Sequence, residues 1–441
     1  MSGYGKLAAA ALALLMSAGC DDILDVSPPD QLPAEEAIVD ANTARAALAG
    51  AYNALQSGSY YGGTMLFFND LGADNAVHTG TLQTYADVDR HTVTSVNTSI
   101  AGIWAQLYEG INRANVILEQ VPGVEGLDPV ERDQILGEAY LLRALHHHNL
   151  VKHWGDVPLM TATVTSVEVA SQVTRTPAAD VYAQILDDLA QAETLMSSTT
   201  QTTRASIGAA EALQARVHLY LGNWAEAEAK ADEVLARGYA LVEDFPDLFD
   251  PDGTPTSEDV FRVLFTAQDY NNLGYYYLSE GARGELALED DVIAAFEPGD
   301  ERAAWSLGGT EEEDPATKFP TTAGAEDVHV IRLAEVILIR AEALARQDRL
   351  EEAVDAYNQL RERAGLDPHV FGVDVTTQQE VLAAIWQERR VELAFEGDRF
   401  SDLVRTGRAV DVLGIPAFQT RWPIPQSERD VAPNLTQNDG Y

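Results

Sequence analysis

Apolar residues recur at helical spacing in residues 331–365 of this 441-residue chain. Ala334, Ile337 and Leu338 stand at positions i, i+3 and i+4 of one helix face, and the pattern continues for two further turns. A short polar stretch interrupts it, and a second set of apolar residues with the same spacing follows. The segment therefore predicts two antiparallel helices joined by a tight turn.

The turn contains a candidate helix cap. Asp348 can cap the second helix, with Glu351 three residues later. Small residues at Ala341 and Ala353 would let the two helices pack closely. A helix hairpin of this tetratricopeptide type cannot bury its own apolar face, so we expect stacked neighbours.

Residues 205–238 predict a second hairpin, with its turn at Gly222. Shifted by 126 positions it overlays the first, so that Ala227 falls on Ala353. Two units this far apart predict a helical array that is interrupted by residues 244–328. A long irregular insert in a rigid scaffold is a common location for a binding site.

The rest of the pattern is mostly helical. The loop-like stretches are residues 58–89, which are rich in Gly, Asn, Thr and aromatics, the connector 161–176, and a Pro-rich tail after Pro416. Asp398 is a second candidate cap. Further helices are predicted at residues 41–56, 100–121, 130–153, 177–196, 378–395 and 399–405, and a strand at 260–265.

The N-terminus predicts export. Lys6 precedes an apolar run at residues 7–16, which is too short to cross a bilayer and is typical of a signal peptide. Cys20 follows Ala-Gly as in a bacterial lipoprotein cleavage box, although Ser17 stands where a Leu is usual, and Cys20 would then carry the lipid. An ordinary signal peptide with an incidental cysteine is the alternative. The acidic residues Asp21, Asp22 and Asp25 resemble a surface-export signal of Bacteroidota-like bacteria, whereas in enteric bacteria an Asp there can mean inner-membrane retention.

Charge and cysteine content narrow the function classes. The formal net charge of −41 would repel phosphate backbones, so we expect no nucleic-acid partner. Cys20 is the single cysteine, so no disulfide can form within the chain.

Aromatic and amide side chains cluster in two of the predicted loop regions. Sugar rings stack on flat aromatic faces, while carboxylates and amides bind sugar hydroxyls. We assign Trp104, Trp154, Trp224 and Trp386 to the core, because they lie on or beside helix faces. The candidate ligand contacts are Tyr60, Tyr61, Phe67, Phe68, Asn69, Asp70, Asp74, Asn75 and Tyr85 in the first region, and Tyr270, Asn271, Asn272, Tyr275, Tyr276, Tyr277 and Trp305 in the insert.

Three charged or metal-like groups have simpler structural explanations. The alternating charges of residues 388–402 predict ion pairs that lock two helices, because no nucleophile or metal-ligand set accompanies them. The three histidines 146–148 point about 100° apart on a helix and cannot close on one ion. The acidic run 311–314 lacks calcium-ligand spacing. We therefore predict no catalytic residue, no metal site and no cofactor.

Several blocks in order along the chain resemble the SusD/RagB family of surface glycan-binding lipoproteins. They cover essentially the whole chain after Cys20. The blocks are DILDV at 22–26, EAYLLRAL at 138–145, WGDVPL at 154–159, LQARVHLYLGNW at 213–224, the hairpin at 331–365, ERRVELAFEGDRFSDL at 388–403, and PIP at 423–425 with Asn434, Gln437, Asn438, Gly440 and Tyr441.

This resemblance implies an all-α, SusD-like fold in which tetratricopeptide-like hairpins, four pairs in the family, carry a loop-rich insert that forms the ligand face. It also implies a partner, a SusC-like TonB-dependent outer-membrane transporter over which the lipoprotein sits as a lid. Family members capture oligosaccharides, occasionally peptides, and perform no chemistry. Their ligand loops vary, so the resemblance does not identify the sugar.

The predicted organisation follows from these parts. We expect a cell-surface lipoprotein that passes oligosaccharide to its transporter. The alternatives are a tetratricopeptide-type adaptor or a peptide-binding lipoprotein, and a hydrolase is disfavoured. The expected divisions are a signal peptide at 1–19, a lipidated tether at 20–35, an N-terminal SusD-like helical part at 36–243, the variable insert at 244–328 and a C-terminal SusD/RagB part at 329–441, with 20–441 as one compact unit.

Overall fold

A computed structural model describes residues 38–164, 166–197, 202–278, 282–308 and 318–441. The predicted lipid-attachment residue Cys20 and the acidic run 311–314 lie outside these ranges. Within them, no helix is both long and apolar enough to cross a membrane.

The N-terminal part is helical wherever the apolar period predicted it. Asn97 begins one long helix by accepting hydrogen bonds from the backbone N–H groups of Ser99 and Ile100. Asp128 caps the next, in which Pro129 takes the first position. The elements are α1 (Ala41–Asn53), α2 (Thr64–Leu71), β1 (Ala76–His78), α3 (Gln83–Asp89), α4 (Thr98–Gln120), α5 (Pro129–Trp154), α6 (Val167–Ser171), α7 (Ala178–Leu195), α8 (Ile207–Leu221) and α9 (Trp224–Leu235).

The insert and the C-terminal part contain short elements followed by long helices. A 3-10 helix at Phe245–Phe249 comes first. Then follow β2 (Asp259–Val263), α10 (Leu273–Tyr277), β3 (Leu286–Leu288), α11 (Asp290–Ala295), α12 (Ala303–Ser306), β4 (Val328–Arg332), α13 (Leu333–Arg346), α14 (Leu350–Arg363), α15 (Gln378–Glu392), α16 (Arg399–Arg405), α17 (Ala409–Leu413) and α18 (Gln426–Val431).

The two predicted hairpins are present, as α8–α9 and α13–α14. Although they are far apart in the sequence, α9 packs directly against α13. The helical array is therefore interrupted along the chain but continuous in space. Ala341 and Ala353 are fully buried, as expected for residues that let helices approach closely.

Two antiparallel strand pairs fasten the insert to this scaffold. The strand β2 pairs with β4, directly before α13, and β1 pairs with β3, which places Ala76 opposite Leu288 and His78 opposite Leu286. The insert is thereby paired at two places, through β2 in its first part and β3 near its middle.

Buried ion pairs reinforce the same junction. Arg302 contacts Asp300, Glu388 and Glu392, and its side chain is fully buried. Arg389 contacts Asp402 at 2.6 Å and Glu335 at 3.0 Å. The prediction that the charges of residues 388–402 lock helices is confirmed.

Five sequence predictions are wrong in detail. Residues 58–89 contain α2, β1 and α3, the connector 161–176 contains α6, and the tail after Pro416 contains a 3-10 helix at Ala417–Thr420 as well as α18. Asp348 does not cap α14, because it occupies a left-handed turn position at φ 66°. Asp398 precedes α16 without a capping hydrogen bond, and its carboxylate lies 3.6 Å from Arg389.

The four tryptophans that were assigned to the core differ in how deeply they are buried. Trp104 and Trp154 are buried in the core. Trp224 and Trp386 are partly buried against it, and the guanidinium of Arg346 lies between their rings, 5.1 and 5.5 Å from the two centroids.

Candidate ligand-binding site

The short helix α10 presents a group of tyrosines at the surface. Tyr275 is 41% exposed and Tyr276 is partly exposed, whereas Tyr277 points into the core. The rings of Tyr275 and Tyr276 are perpendicular, with centroids 5.9 Å apart. Two adjacent aromatic faces at a surface can stack against the C–H faces of a sugar.

The backbone before α10 is held by the scaffold. The N–H of Asn272 donates to the carbonyl of Gly62 at 2.8 Å, and the N–H of Asn271 donates to Gly324 at 2.8 Å. The Asn271 side-chain amide donates to the carbonyl of Glu326 at 2.8 Å. These bonds fix where the tyrosines emerge.

Buried rings lie directly beneath Tyr276. Its centroid is 5.0 Å from that of Phe67 and 5.5 Å from that of Tyr85, with which it is stacked. Tyr85 is itself held by a 3.2 Å hydrogen bond to Thr64. Tyr276 therefore rests on packed residues of α2 and α3, and Tyr275 lies beside it.

A charged pair that the sequence reasoning missed lies next to the tyrosines. Arg283 donates to Glu285 at 2.7 Å, and its guanidinium lies 5.7 Å from the centre of the Tyr276 ring. The backbone N–H of Glu285 donates to the carbonyl of Tyr276 at 3.0 Å. The closeness of Arg283 and Glu285 to the tyrosine triplet in sequence was the signal that could have found them.

Many of the predicted contacts occupy the core instead of the surface. Rings enclosed by protein offer no face to a ligand, and they support the exposed rings from below. The buried candidates are Tyr60, Tyr61, Phe67, Phe68, Asn69, Asp70, Asn75, Tyr85, Asn271 and Tyr277, and Asp74 is partly buried.

The polar members of this group are occupied by protein partners. Asn69 accepts from Ser401 at 2.8 Å, and its amide donates to the carbonyl of Met65 at 2.9 Å. Both oxygens of Asp74 accept from Arg399, at 2.6 and 2.7 Å.

Asp70 anchors Tyr277 to the scaffold. The Tyr277 hydroxyl donates to Asp70 at 3.0 Å, and the Asn75 amide donates to the other carboxylate oxygen at 3.0 Å. Burial raises the pKa of Asp70 to about 7, because two neutral donors offset only part of the cost of removing a carboxylate from water.

Two of the predicted ligand contacts, Tyr270 and Trp305, belong neither to the α10 surface nor to the buried candidates. Tyr270 is 56% exposed in the loop before α10. Trp305 packs against a separate apolar cluster formed by Val242, Phe245, Leu248 and Phe249. The structure therefore brings Asn272, Tyr275 and Tyr276 together with Arg283 and Glu285, and leaves Trp305 elsewhere.

One acidic group in the described residues is close enough to share an ion. Carboxylate oxygens of Glu193, Glu211 and Glu233 lie within 4.8 Å of one another. Lys230 already donates to Glu193 at 2.9 Å and to Glu233 at 2.8 Å, and Arg237 pairs with Glu211. Side-chain cations thus occupy the place that a metal would take, and we assign none.

Comparison with known proteins shows which family of proteins this chain resembles. A family model described as starch-binding and associating with the outer membrane matches residues 22–219, and the SusD family model matches residues 311–417. A SusD-like protein of Formosa agariphila is 27% identical over 96% of this chain and 96% of its own length.

This chain belongs to the SusD family. The fold agrees with solved members. A SusD superfamily protein of Bacteroides vulgatus superposes with a TM-score of 0.82 at 22% identity, over 91% of this chain and 99% of its own. A laminarin-binding SusD-like protein has a TM-score of 0.79 at 26% identity, over 92% of this chain and 100% of its own. The mostly helical, SusD-like fold predicted from the sequence is confirmed.

Proposed function

We propose that this SusD-family protein captures oligosaccharides on a surface formed by Tyr275, Tyr276 and Asn272, with the Arg283–Glu285 pair at its edge. The observation that carries the proposal is the exposed ring of Tyr275 beside that of Tyr276, which packs on Phe67 and Tyr85, because a rigid aromatic surface loses little entropy when it binds a sugar. The surface acts by binding alone, without catalysis.

We further propose an uncharged glucan as the ligand class. A net charge of −41 disfavours uronate-rich or sulfated polymers, and Arg283, the cation beside Tyr276, is already paired with Glu285. The laminarin-binding relative supports the same class.

The experiment measures binding of laminari- and malto-oligosaccharides to purified protein by calorimetry, with alginate oligosaccharides as the anionic comparison. Tyr275→Ala should weaken binding about tenfold, equivalent to ~1.4 kcal/mol, which is within the range for aromatic contacts. Tyr441→Ala, in the C-terminal tail, is the matched control and should leave affinity unchanged. Binding that survives loss of both Tyr275 and Tyr276 would contradict this surface.

The location and partner belong to the same proposal. Family membership and the export features around Cys20 support a lipid-anchored protein on the outer face of the outer membrane that delivers glycan to a SusC-like TonB-dependent transporter. Labelling cells with a lipid precursor tests attachment at Cys20, with Cys20→Ser as the control. Co-purification of a TonB-dependent barrel with the full-length protein tests the partner. Binding of peptides in place of glycans would favour the peptide-binding alternative.

A further inference from the structure

A second concave site, separate from the tyrosine surface, lies beside the C-terminal tail. This tail groove has a volume of about 410 Å³ and is lined by α4, by a connector wall formed by Pro158, Met160, Ala162, Val164, Ala170 and Val173, and by α18 with the residues that follow it. None of the candidate sugar contacts lines it. A ligand here would therefore not compete with one at Tyr275.

Hydrogen bonds hold the connector wall of the tail groove in place. The Tyr108 hydroxyl donates to the carbonyl of Pro158 at 2.8 Å. The Asn115 amide donates to the carbonyls of Met160 and Ala162, at 3.1 and 3.0 Å. These contacts leave the backbone of this wall with partners in the protein, so the groove is preformed.

The tail wall is fixed in the same way. The N–H of Gln426 donates to the carbonyl of Ser95 at 2.8 Å, which sets the start of α18. Gln437 exchanges hydrogen bonds with the backbone of Ile424, at 2.7 and 2.8 Å. The α18 side chains that line the groove are thus held at a defined position.

The lining is largely apolar, and part of it is exposed. Val164 is 41% exposed and Val431 is 56% exposed, and both line the groove. Large apolar side chains left open at the edges of a concave site are typical of a surface that is covered by a partner. Its apolar floor includes Trp104, Ile111, Met160, Ala432 and Leu435.

One carboxylate within this lining lacks a cation. Glu428 is partly buried, and a hydrogen bond from the Trp104 side chain offsets part of the burial that raises its pKa. Arg429 turns away from it and donates to the carbonyl of Leu435 at 3.2 Å and to Gln426 at 3.1 Å. Among the ion pairs of the described residues none includes Glu428, whereas Glu109, also in the lining, pairs with Arg113 at 2.9 Å.

We propose that the tail groove binds a segment of a partner protein that places a lysine or arginine beside an apolar side chain. The cation pairs with Glu428, the aliphatic stem lies on the apolar floor of the groove, and the neighbouring apolar residue covers Val164 and Val431. A partly buried carboxylate is stabilised by a cation more than a solvated one is. The strongly acidic chain also attracts a basic segment.

The test titrates purified protein with acetyl-Leu-Lys-Leu-amide and follows the indole N–H resonance of Trp104 by NMR. The same peptide with norleucine in place of lysine has the apolar chain without the charge. The lysine peptide should bind at least fivefold more tightly, and Glu428→Gln should remove this difference. Glu125→Gln, which changes an exposed acid elsewhere, should preserve it.

A variant that fills the tail groove tests whether the peptides bind there. Ala105 is exposed and lines it, so Ala105→Trp fills the groove without disturbing the core, and it should abolish binding of both peptides. Equal affinity for the two peptides, an equal effect of the Gln substitutions, or unchanged binding to Ala105→Trp would overturn the proposal. So would binding of free n-butylamine as tight as that of the lysine peptide, because a small amine would then suffice.

Discussion

The side chain of Arg332 organises the charge at the centre of the molecule. Its guanidinium lies 2.7 Å from Glu258, 2.5 Å from Glu392 and 2.9 Å from Glu396, and all four side chains are nearly inaccessible to solvent. Burial alone would raise the pKa of Glu392 and of Glu396, but neighbouring cations reverse this, and Arg332 with Lys318 holds the pKa of Glu396 at about 2. Each charge is therefore stable only because the others are present.

Removal of Arg332 should be far more costly than removal of an exposed arginine. Arg332→Met keeps most of the volume but leaves buried carboxylates without their shared cation, so the free energy of unfolding should fall by about 3–5 kcal/mol. Arg349→Met removes an exposed arginine that pairs with Glu352 and Glu228, and it should lower the free energy of unfolding far less, because water screens these pairs. Urea unfolding at pH 7 measures both. Equal losses would mean that burial does not determine the energy of these pairs.

The sequence could indicate the role of these charges but not their partners. Alternating charges in residues 388–402 predicted helix locking, and the ion pairs of Arg389 confirm it. The contributions of Arg302 and Arg332 could not be predicted, because the spacing within one helix does not show which distant side chain reaches it. Asp348 and Asp398 have suitable cap chemistry, but Asp348 has a left-handed backbone and Asp398 makes no capping hydrogen bond.

At the scale of elements, the apolar period identifies helices that are long enough to repeat it. It predicted α4, α5, α7 and both hairpins, whose helices each have 12 residues or more. It missed α2, because that helix has only 8 residues and every one of them after Thr64 is buried, so no polar face marks the period. The same burial explains why Phe67, Phe68 and Asn69 support the candidate site from within.

The position of α10 depends on a glycine. A Cβ atom at Gly274 would lie 2.0 Å from the carbonyl oxygen of Thr321 and 3.0 Å from that of Phe319. Neither backbone oxygen can move as freely as the end of a side chain. The close approach of α10 to residues 319–321 thus requires the absence of a side chain.

Gly274→Ala should therefore shift α10 and destabilise the protein. We expect a loss of about 1–3 kcal/mol in the free energy of unfolding, as for an overpacked core, and faster amide hydrogen exchange at Tyr276 and Tyr277. Gly123→Ala is the matched control, because nothing lies within 4 Å of its added Cβ and the exchange rates should not change. If Gly274→Ala matched the control in both measurements, residues 319–321 would not constrain α10.

At the scale of the whole molecule, acidic groups of two kinds set the response to pH. Asp70 has a folded-state pKa of about 7, above its ordinary value near 4, so it binds a proton more readily in the folded protein. Its contribution to stability therefore falls as the pH rises from about 4 to 7. Glu396 and Asp402 have folded-state pKa values of about 2, so their contribution is complete above their ordinary values and is lost as the pH falls towards 2.

Stability should accordingly change little, or rise, from pH 8 to about pH 5 and then fall steeply below about pH 4. Acidification also reduces the repulsion that arises from a net charge of −41, which adds to the first effect. The free energy of unfolding in urea at pH 8, 5.5 and 3 measures the profile. Sodium chloride at 0.5 M should reduce the change in the free energy of unfolding between pH 8 and 5.5, where exposed charges repel one another. It should leave the loss of stability below about pH 4 in place, because buried ion pairs are screened little.

The Asp70→Asn variant separates the two kinds of group. It removes the carboxyl that titrates near pH 7, while an amide can still hydrogen-bond to Asn75 and Tyr277. The difference in the free energy of unfolding between the variant and the unsubstituted protein should therefore shrink as the pH falls from 8 to 4.5. Below pH 4 both proteins should lose stability in parallel, since Glu396 and Asp402 are unchanged. A difference that stays constant from pH 8 to 4.5 would show that Asp70 remains ionised in the folded state, and that the acid response comes from the arginine-paired carboxylates alone.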